Sequence, residues 1–334
     1  MHSPPNPNPK RKPQRRQKVA NRITASKLEF RLSFEQTGTN STKEKLMSSQ
    51  SEALEELRAV IGEQSKLLTL ILFTISEGPV LRQGQWLSCS LEAEQARATA
   101  AVAMGAGQSL GTVVKNSAER GLAVRDLYPI ARSVVEGFIN AAFFATQPVE
   151  VSQRALAHIP YAAWKHSNRV IGSGNFMMTL GDDPTPKATA ARLFPDFAGR
   201  GQDSWCSLDA PSRINRIGQV VQASGGAFLG AYGGIYSVSS EIIHGSVYGM
   251  SYFMSAYTGQ ARTTEAFQCG TEGQMIDILS AIGHAASGFI SAYANIHRYG
   301  PLVLEEHELF KRLFKAASGD TWVGGDPPAG LPQL

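Results

Sequence analysis

Apolar residues fall at helical spacing over most of the chain. Leu54, Leu57, Ile61, Leu68, Leu72 and Ile75 recur at threes, fours and sevens. That pattern predicts a helix opened by Ser48 or Ser51 and stopped at Gly78-Pro79. A second helix is expected from about Trp86 to Glu119, with an Ala-rich middle whose small side chains allow close packing, and Gly121 ends it. A third follows Asp126, tolerates Pro129 in its first turn and runs to Pro148. A fourth spans about Val151 to Val170, with a kink expected at Pro160. Residues 172–210 hold Gly, Asp and Pro and read as a long irregular connection, a candidate cover for a site.

Asp209, Pro211 and Ser212 open the next helix, Arg213 to Ser224. Gly225 to Phe253 then reads as one long helix, apolar nearly all round and therefore central. Thr271 begins a further amphipathic helix with Met275, Ile278, Leu279, Ile282, Phe289, Ile290 and Tyr293 inward, broken at Gly300-Pro301. A last helix reaches about Ala317. No alternating β pattern recurs. The expectation is all-α: a single bundle of about eight helices over residues 47–317, with disordered tails at 1–46 and 318–334.

Two polar rows interrupt this apolar pattern. Tyr232, Tyr236, Ser240, His244, Tyr248 and Tyr252 recur at every fourth residue of the expected central helix, with Glu241 beside the row. In the third helix Arg132, Glu136 and Asn140 keep the same spacing among Ile130, Val134, Val135, Phe138, Ile139, Phe143 and Phe144. Residues four apart are neighbours on one side of a helix. Buried hydroxyl, imidazole and charged groups need partners, so the two rows are expected to be buried and to face each other.

Charge changes the picture only at one end. Residues 1–46 hold 11 Lys/Arg against 3 Asp/Glu, leaving 21 against 25 for the rest, so the net +4 of the chain belongs to its N-terminal arm. The mildly acidic body does not look like a nucleic-acid-binding domain, and nucleic acid is expected only through the basic arm. The favoured reading of the arm is an over-long reading frame with translation starting at Met47; a polybasic arm for RNA or anionic surfaces is the other. Cys89, Cys206 and Cys269 are odd in number, far apart and free of any CxxC, which fits a reducing cytosol. No apolar run follows the N-terminal charges as a secretory signal would require. Gly225 to Phe253 is long enough to cross a bilayer, but Glu241 and His244 near its centre speak against a span. A cytoplasmic location without membrane contact is the expectation.

Candidate chemistry follows from the two rows. His244, oriented by Glu136 or Glu241, could transfer a proton while Arg132 stabilises an anion, with Tyr236, Ser240, Glu241 and Asn140 contacting a ligand. The bland alternative is a satisfied core histidine. No metal is expected: Glu241-Ile-Ile-His244 has the spacing of di-iron bundles, but a second copy and two further glutamates are missing. No cofactor motif is present, and Ser240 lacks the elbow of a hydrolase nucleophile.

Arg132-x-x-x-Glu136 and Tyr236-x-x-x-Ser240-x-x-x-His244-Gly245, with Trp205 and the Arg213/Arg216 helix between, resemble the paired motifs of a bacterial family of unknown function, domain-of-unknown-function family 5677. The likeness covers roughly residues 85–300. It implies an intracellular, mostly helical protein distinguished by its Arg, Glu, Tyr, Ser and His positions, and no established activity. Helical HEPN-type ribonucleases are a looser comparison. They place an Arg and a His at a short spacing on one helix, and Arg154-Ala-Leu-Ala-His158 has one residue too few between the two. The leading expectation is therefore a protein that binds a small ligand or a protein partner at the cluster. The alternatives are a metal-independent ribonuclease or other hydrolase using His244, Arg132 and Glu136, and a purely structural bundle.

Overall fold

The longest apolar patterns become the innermost helices of the computed structural model, which describes residues 40–119, 121, 123–183, 185–199, 201–255 and 264–324, the side chains of 40–48, 265, 266, 268 and 269 aside. Ten α-helices are described: α1 (Asn40–Ser76), α2 (Ala93–Asn116), α3 (Ala123–Thr146), α4 (Val149–Ser167), α5 (Pro186–Leu193), α6 (Ala210–Val220), α7 (Gln222–Ile243), α8 (Val247–Met254), α9 (Thr264–Ile296) and α10 (Gly300–Ser318). Two short antiparallel hairpins accompany them, β1 (Val80–Arg82) with β2 (Gln85–Leu87), and β3 (Arg169–Ser173) with β4 (Phe176–Leu180). The chain is all-α apart from these hairpins. Most of the basic arm and residues 325–334 lie outside the described residues. Helix α1 reaches back to Asn40, which carries helix into the end of the arm.

The bundle's centre is α9, not the Gly225–Phe253 stretch. From Thr271 to Ala294 it is buried on almost every side. Its many Ala and Gly residues let four neighbours approach at once. Phe138 of α3 stacks on Phe289 at 5.6 Å, and both rings are fully buried. A Cβ placed on Gly288 would sit 2.9 Å from the Phe228 ring of α7, and one on Gly283 would sit 2.6 Å from Leu313 of α10. At both points a side chain would have to displace its neighbour: the Phe228 ring at Gly288, and the movable end of Leu313 at Gly283.

Helix α1 packs its Leu54, Leu57, Val60, Ile61, Leu67, Leu68 and Ile71 into the same core. Gln64 stands in that apolar row, fully buried, and donates from Nε2 to Ser287 Oγ (2.9 Å) and to the Gly283 carbonyl (3.2 Å). Arg312 of α10 ties the outside of this contact through Glu56 and Glu63 of α1, at 2.8 Å each. Among the described residues two helical segments are long and apolar enough to cross a membrane: Ser49–Ser76, 39% buried, and Gly270–Ile296, 78% buried. The second is the core of the bundle.

Several expected boundaries move, among them the helix expected from Thr271, which begins at Thr264, and the one expected to Ser224, which ends at Val220. The second helix starts at Ala93 instead of Trp86, because Gln83 and Gly84 turn the chain back as the β1–β2 hairpin. Helix α3 begins at Ala123, with Pro129 inside it, and α4 runs unbroken through Pro160 to Ser167. Residues 169–180 form a hairpin, with Gly174 at φ 62° in its turn, where irregular chain was expected. Beyond it α5 and the turn at Pro195–Phe197 pack Ala190 and Phe197 on Tyr161 of α4, a second small core edged by Trp164 and Phe194. The Arg154 guanidinium holds the following loop by donating to the carbonyls of Gln202 (3.0 Å) and Ser204 (3.2 Å), and the His158 ring meets the Asp203 carbonyl at 3.2 Å.

The last change falls in the stretch read as one central helix, which is two. Gly245 takes φ 63° and closes α7 with two bonds, Gly245 N–H to the Ile242 carbonyl and Ser246 N–H to the Glu241 carbonyl, both 3.1 Å. That pair is the Schellman arrangement, and it satisfies carbonyls the helix end would otherwise leave unpaired. Ser246 then caps α8, its Oγ accepting from Gly249 N–H at 3.0 Å.

Candidate functional site

Antiparallel packing of α3 against α7 brings the two polar rows together over part of their length. Arg132 donates from Nε to Glu136 Oε1 at 2.9 Å, one helical turn on. Its guanidinium carbon lies over the Tyr236 ring, 4.1 Å from the ring centre. Tyr236 in turn stacks on Tyr232, with ring centres 4.3 Å apart. The pair was expected in the dry core but is half-buried: 20% of the Arg132 side chain and 36% of the Glu136 side chain remain exposed. A guanidinium held on edge by a carboxylate and on its face by a phenol is fixed in orientation, and such a cation–π contact contributes about 0.5–2 kcal/mol. Its two terminal NH2 groups make no hydrogen bond among the described residues.

Asn140 continues the row one turn further. Its Oδ1 accepts from Arg213 Nη1 at 2.6 Å, and the Arg213 guanidinium lies 5.4 Å from the centre of the Trp205 ring. Trp205 is anchored against Phe144, ring centres 5.0 Å apart. Asp209 caps α6 by accepting from Ser212 N–H at 2.9 Å, which places Arg213 in the first turn of that helix. Arg213 Nε is buried without a partner among the described residues. Burial first, then the neighbouring Tyr236 phenol and the carboxylates of Asp209 and Glu136, hold the Tyr232 phenol above its ordinary pKa. The result is a partly exposed polar cluster in which two guanidinium groups, each against an aromatic ring, flank Glu136 and Asn140.

A separate hollow of about 220 Å³ is lined by Arg125, Asp126, Pro129, Ile242, Gly245, Ser246, Gly249 and Met250. Pro129 is one turn from Arg132 on α3, so hollow and arginine lie on one side of that helix.

His244 does not join the Arg132 cluster. It is the residue that ends α7, exposed, and its side chain makes no hydrogen bond, ion pair or ring contact with Arg132 or Glu136. The expected convergence fails because His244, eight residues beyond Tyr236, lies about 80° further round the helix, at its exposed last turn. Ser240 and Glu241 are half-buried on α7 and make no side-chain hydrogen bond among the described residues. The arrangement thus offers cations, a carboxylate, an amide and aromatic faces, and it brings no imidazole to them. No group of three or more His, Cys, Asp or Glu able to hold a metal ion occurs among the described residues, so Glu136, Glu241 and His244 are not such a group.

Three members of the cluster were passed over in the sequence. Tyr232 lies in the polar row but was not assigned to the site. Trp205 and the Arg213/Arg216 helix enter there only through the family resemblance, with no place in the cluster. The signal for Tyr232 was its position four residues before Tyr236; nothing local marks Trp205, which reaches the cluster from the loop before α6. No family model matches the chain, and neither a curated protein nor a solved structure matches it.

Proposed function

We propose that this chain is a binding protein whose ligand, a small molecule or a segment of a partner protein, sits on the partly exposed Arg132 cluster between α3 and α7. The observation that carries the reading is Arg132: half-buried, oriented by Glu136 and Tyr236, and with terminal donors left to spend. A purely structural ion pair would turn those donors to protein carbonyls. The ligand chemistry that fits is a carboxylate or phosphate for the guanidinium edges of Arg132 and Arg213, joined to a flat or apolar portion for Tyr232 and Tyr236. Membership of the bacterial family named above and a cytoplasmic location are parts of the same proposal. The free thiols of Cys89 and Cys206 support a reducing compartment.

Thermal-shift screening of the full chain against anionic metabolites, repeated on Arg132→Ala, tests the reading. At least one compound should raise the melting temperature of the wild type and lose that effect in the variant. Compounds that stabilise both proteins equally, or none at all, would count against the cluster. RNA degraded by the wild type and spared by His244→Ala would instead favour hydrolysis.

A further inference from the structure

The hollow beside Pro129 lies where α7 stops and α8 starts, against the first turns of α3. One side of it is the break itself: Ile242 from the last turn of α7, Gly245 and Ser246 from the turn, and Gly249 and Met250 from α8. Gly249 keeps that side in shape. A Cβ there would sit 2.7 Å from the Glu241 carbonyl carbon and 2.8 Å from the Ile242 amide nitrogen, so α8 folds back this closely on the end of α7 only without a side chain.

The other side is Arg125, Asp126 and Pro129 of α3. Arg125 Nε donates to Asp126 Oδ1 at 2.8 Å, and its Nη2 lies 2.8 Å from the same oxygen. This pair ties no two elements together. Its members are neighbours in sequence on one helix, a spacing that adds nothing to helix stability. With 41% of the Arg125 side chain and 68% of the Asp126 side chain exposed, it contributes about 0–1 kcal/mol and opens at little cost.

The two helix ends repeat the same two signs. The carbonyls of Ile243 and His244 at the end of α7, and the amides of Val247 and Tyr248 at the start of α8, have no hydrogen-bond partner among the described residues. Such carbonyls favour a cation and such amides an anion. Gly245 and Ser246, which line the hollow, lie between them. The rest of the lining, Pro129, Ile242 and Met250, is apolar. At about 220 Å³ the space falls below the roughly 300–1,000 Å³ of sites for drug-sized molecules, so its occupant is small.

We propose that this hollow binds a free α-amino acid with an apolar side chain, as its zwitterion. The Arg125–Asp126 pair parts: the guanidinium takes the ligand carboxylate, Asp126 takes the ammonium group, and the ligand side chain lies against Pro129, Ile242 and Met250. One ion pair is exchanged for two, and no charge of ligand or protein is left uncompensated. A simple anion or a simple amine would use only half of the site. The site is separate from the Arg132 cluster.

Isothermal titration calorimetry of the full chain with L-alanine, L-valine, L-leucine and L-methionine tests the proposal. At least one of them should bind. Arg125→Gln and Asp126→Asn should each weaken that binding at least about tenfold, with the helical circular dichroism unchanged. The analogues lacking the amino group or the carboxylate, isovalerate and isobutylamine in the case of L-valine, should be weaker than the parent by at least about the same factor. No binding by any of the four amino acids overturns the proposal. So do variants that bind as the wild type does, or an analogue that binds as well as its parent. Binding that Arg132→Ala removes and Arg125→Gln spares would also overturn it, by moving the ligand to the Arg132 cluster.

Discussion

Glu306 carries the sharpest stability prediction in the molecule. It lies on α10, 6% exposed, against Ser287 of α9. Ser287 already receives the Gln64 amide, and Glu306 Oε1 has no partner. Burial without a counter-ion pushes the carboxyl from 4.5 to about 7, and the Ser287 hydroxyl offsets only part of that. Because the folded-state value lies above the unfolded one, the folded protein holds a proton that the unfolded chain gives up between pH 4.5 and about 7. The associated stability is fully present below 4.5 and is lost as pH rises through about 7. The interval corresponds to about 3 kcal/mol, a large part of the 5–15 kcal/mol that holds a typical domain.

Glu306→Gln mimics the protonated form and cannot ionise. Urea unfolding followed by circular dichroism, run on both proteins from about pH 4 to about pH 8, isolates this one group, since all others titrate alike in the pair. The two proteins should be nearly equal at the acid end. The variant should gain steadily with pH, to an advantage of about 3 kcal/mol at the alkaline end. A difference that does not change with pH would refute the reasoning and would mean that water or a nearby cation reaches the carboxylate.

Other perturbations separate core from cluster. Phe138→Ala removes a fully buried ring stacked on Phe289 and should cost about 3–5 kcal/mol in chemical denaturation. Gly288→Val drives a side chain into the Phe228 ring, which a Cβ alone would approach to 2.9 Å; the expected loss is about 1–3 kcal/mol, seen as a lower melting temperature. Arg132→Ala should cost less than about 1 kcal/mol by the same measurement, because its ion pair with Glu136 is part-exposed, while lowering ligand affinity at least about tenfold. A loss there as large as that of Phe138→Ala would make the cluster structural.

Long apolar patterns were the legible part of this fold. Helix α3 announces itself by Phe138, Ile139, Phe143 and Phe144, and α6 by Asp209 ahead of Pro211 and Ser212. The choice of centre was misread because hydrophobic spacing gives weight to large side chains. Helix α9 is built around Ala281, Gly283, Ala285, Ala286 and Gly288, which score weakly yet allow four neighbours to close in. The end of α7 was readable in principle: glycine followed by serine at 245 and 246 is a helix stop and a fresh cap. It was missed because the four-residue polar row continued across it. The β3–β4 turn was also in view, as Gly172-Ser173-Gly174-Asn175 between apolar runs. Strands of five residues are too short for alternation to outweigh the helices around them.

Two of the polar clusters among the described residues differ in their physics. Gln64, Ser287 and Glu306 meet inside the core, across three helices that must pack for any of them to be near the others. Their bonds are mutual and closed to solvent, and a neutral Glu306 is the arrangement that costs least there. Arg132, Glu136, Tyr232 and Tyr236 use only two helices, at a surface that stays wet. Burying the Arg132 guanidinium completely would have cost more than its one carboxylate returns. Exposing it completely would have removed the ring that fixes its plane. The intermediate position lowers the desolvation cost of the charge while keeping the donors oriented, and it is this combination that the proposed anion binding rests on.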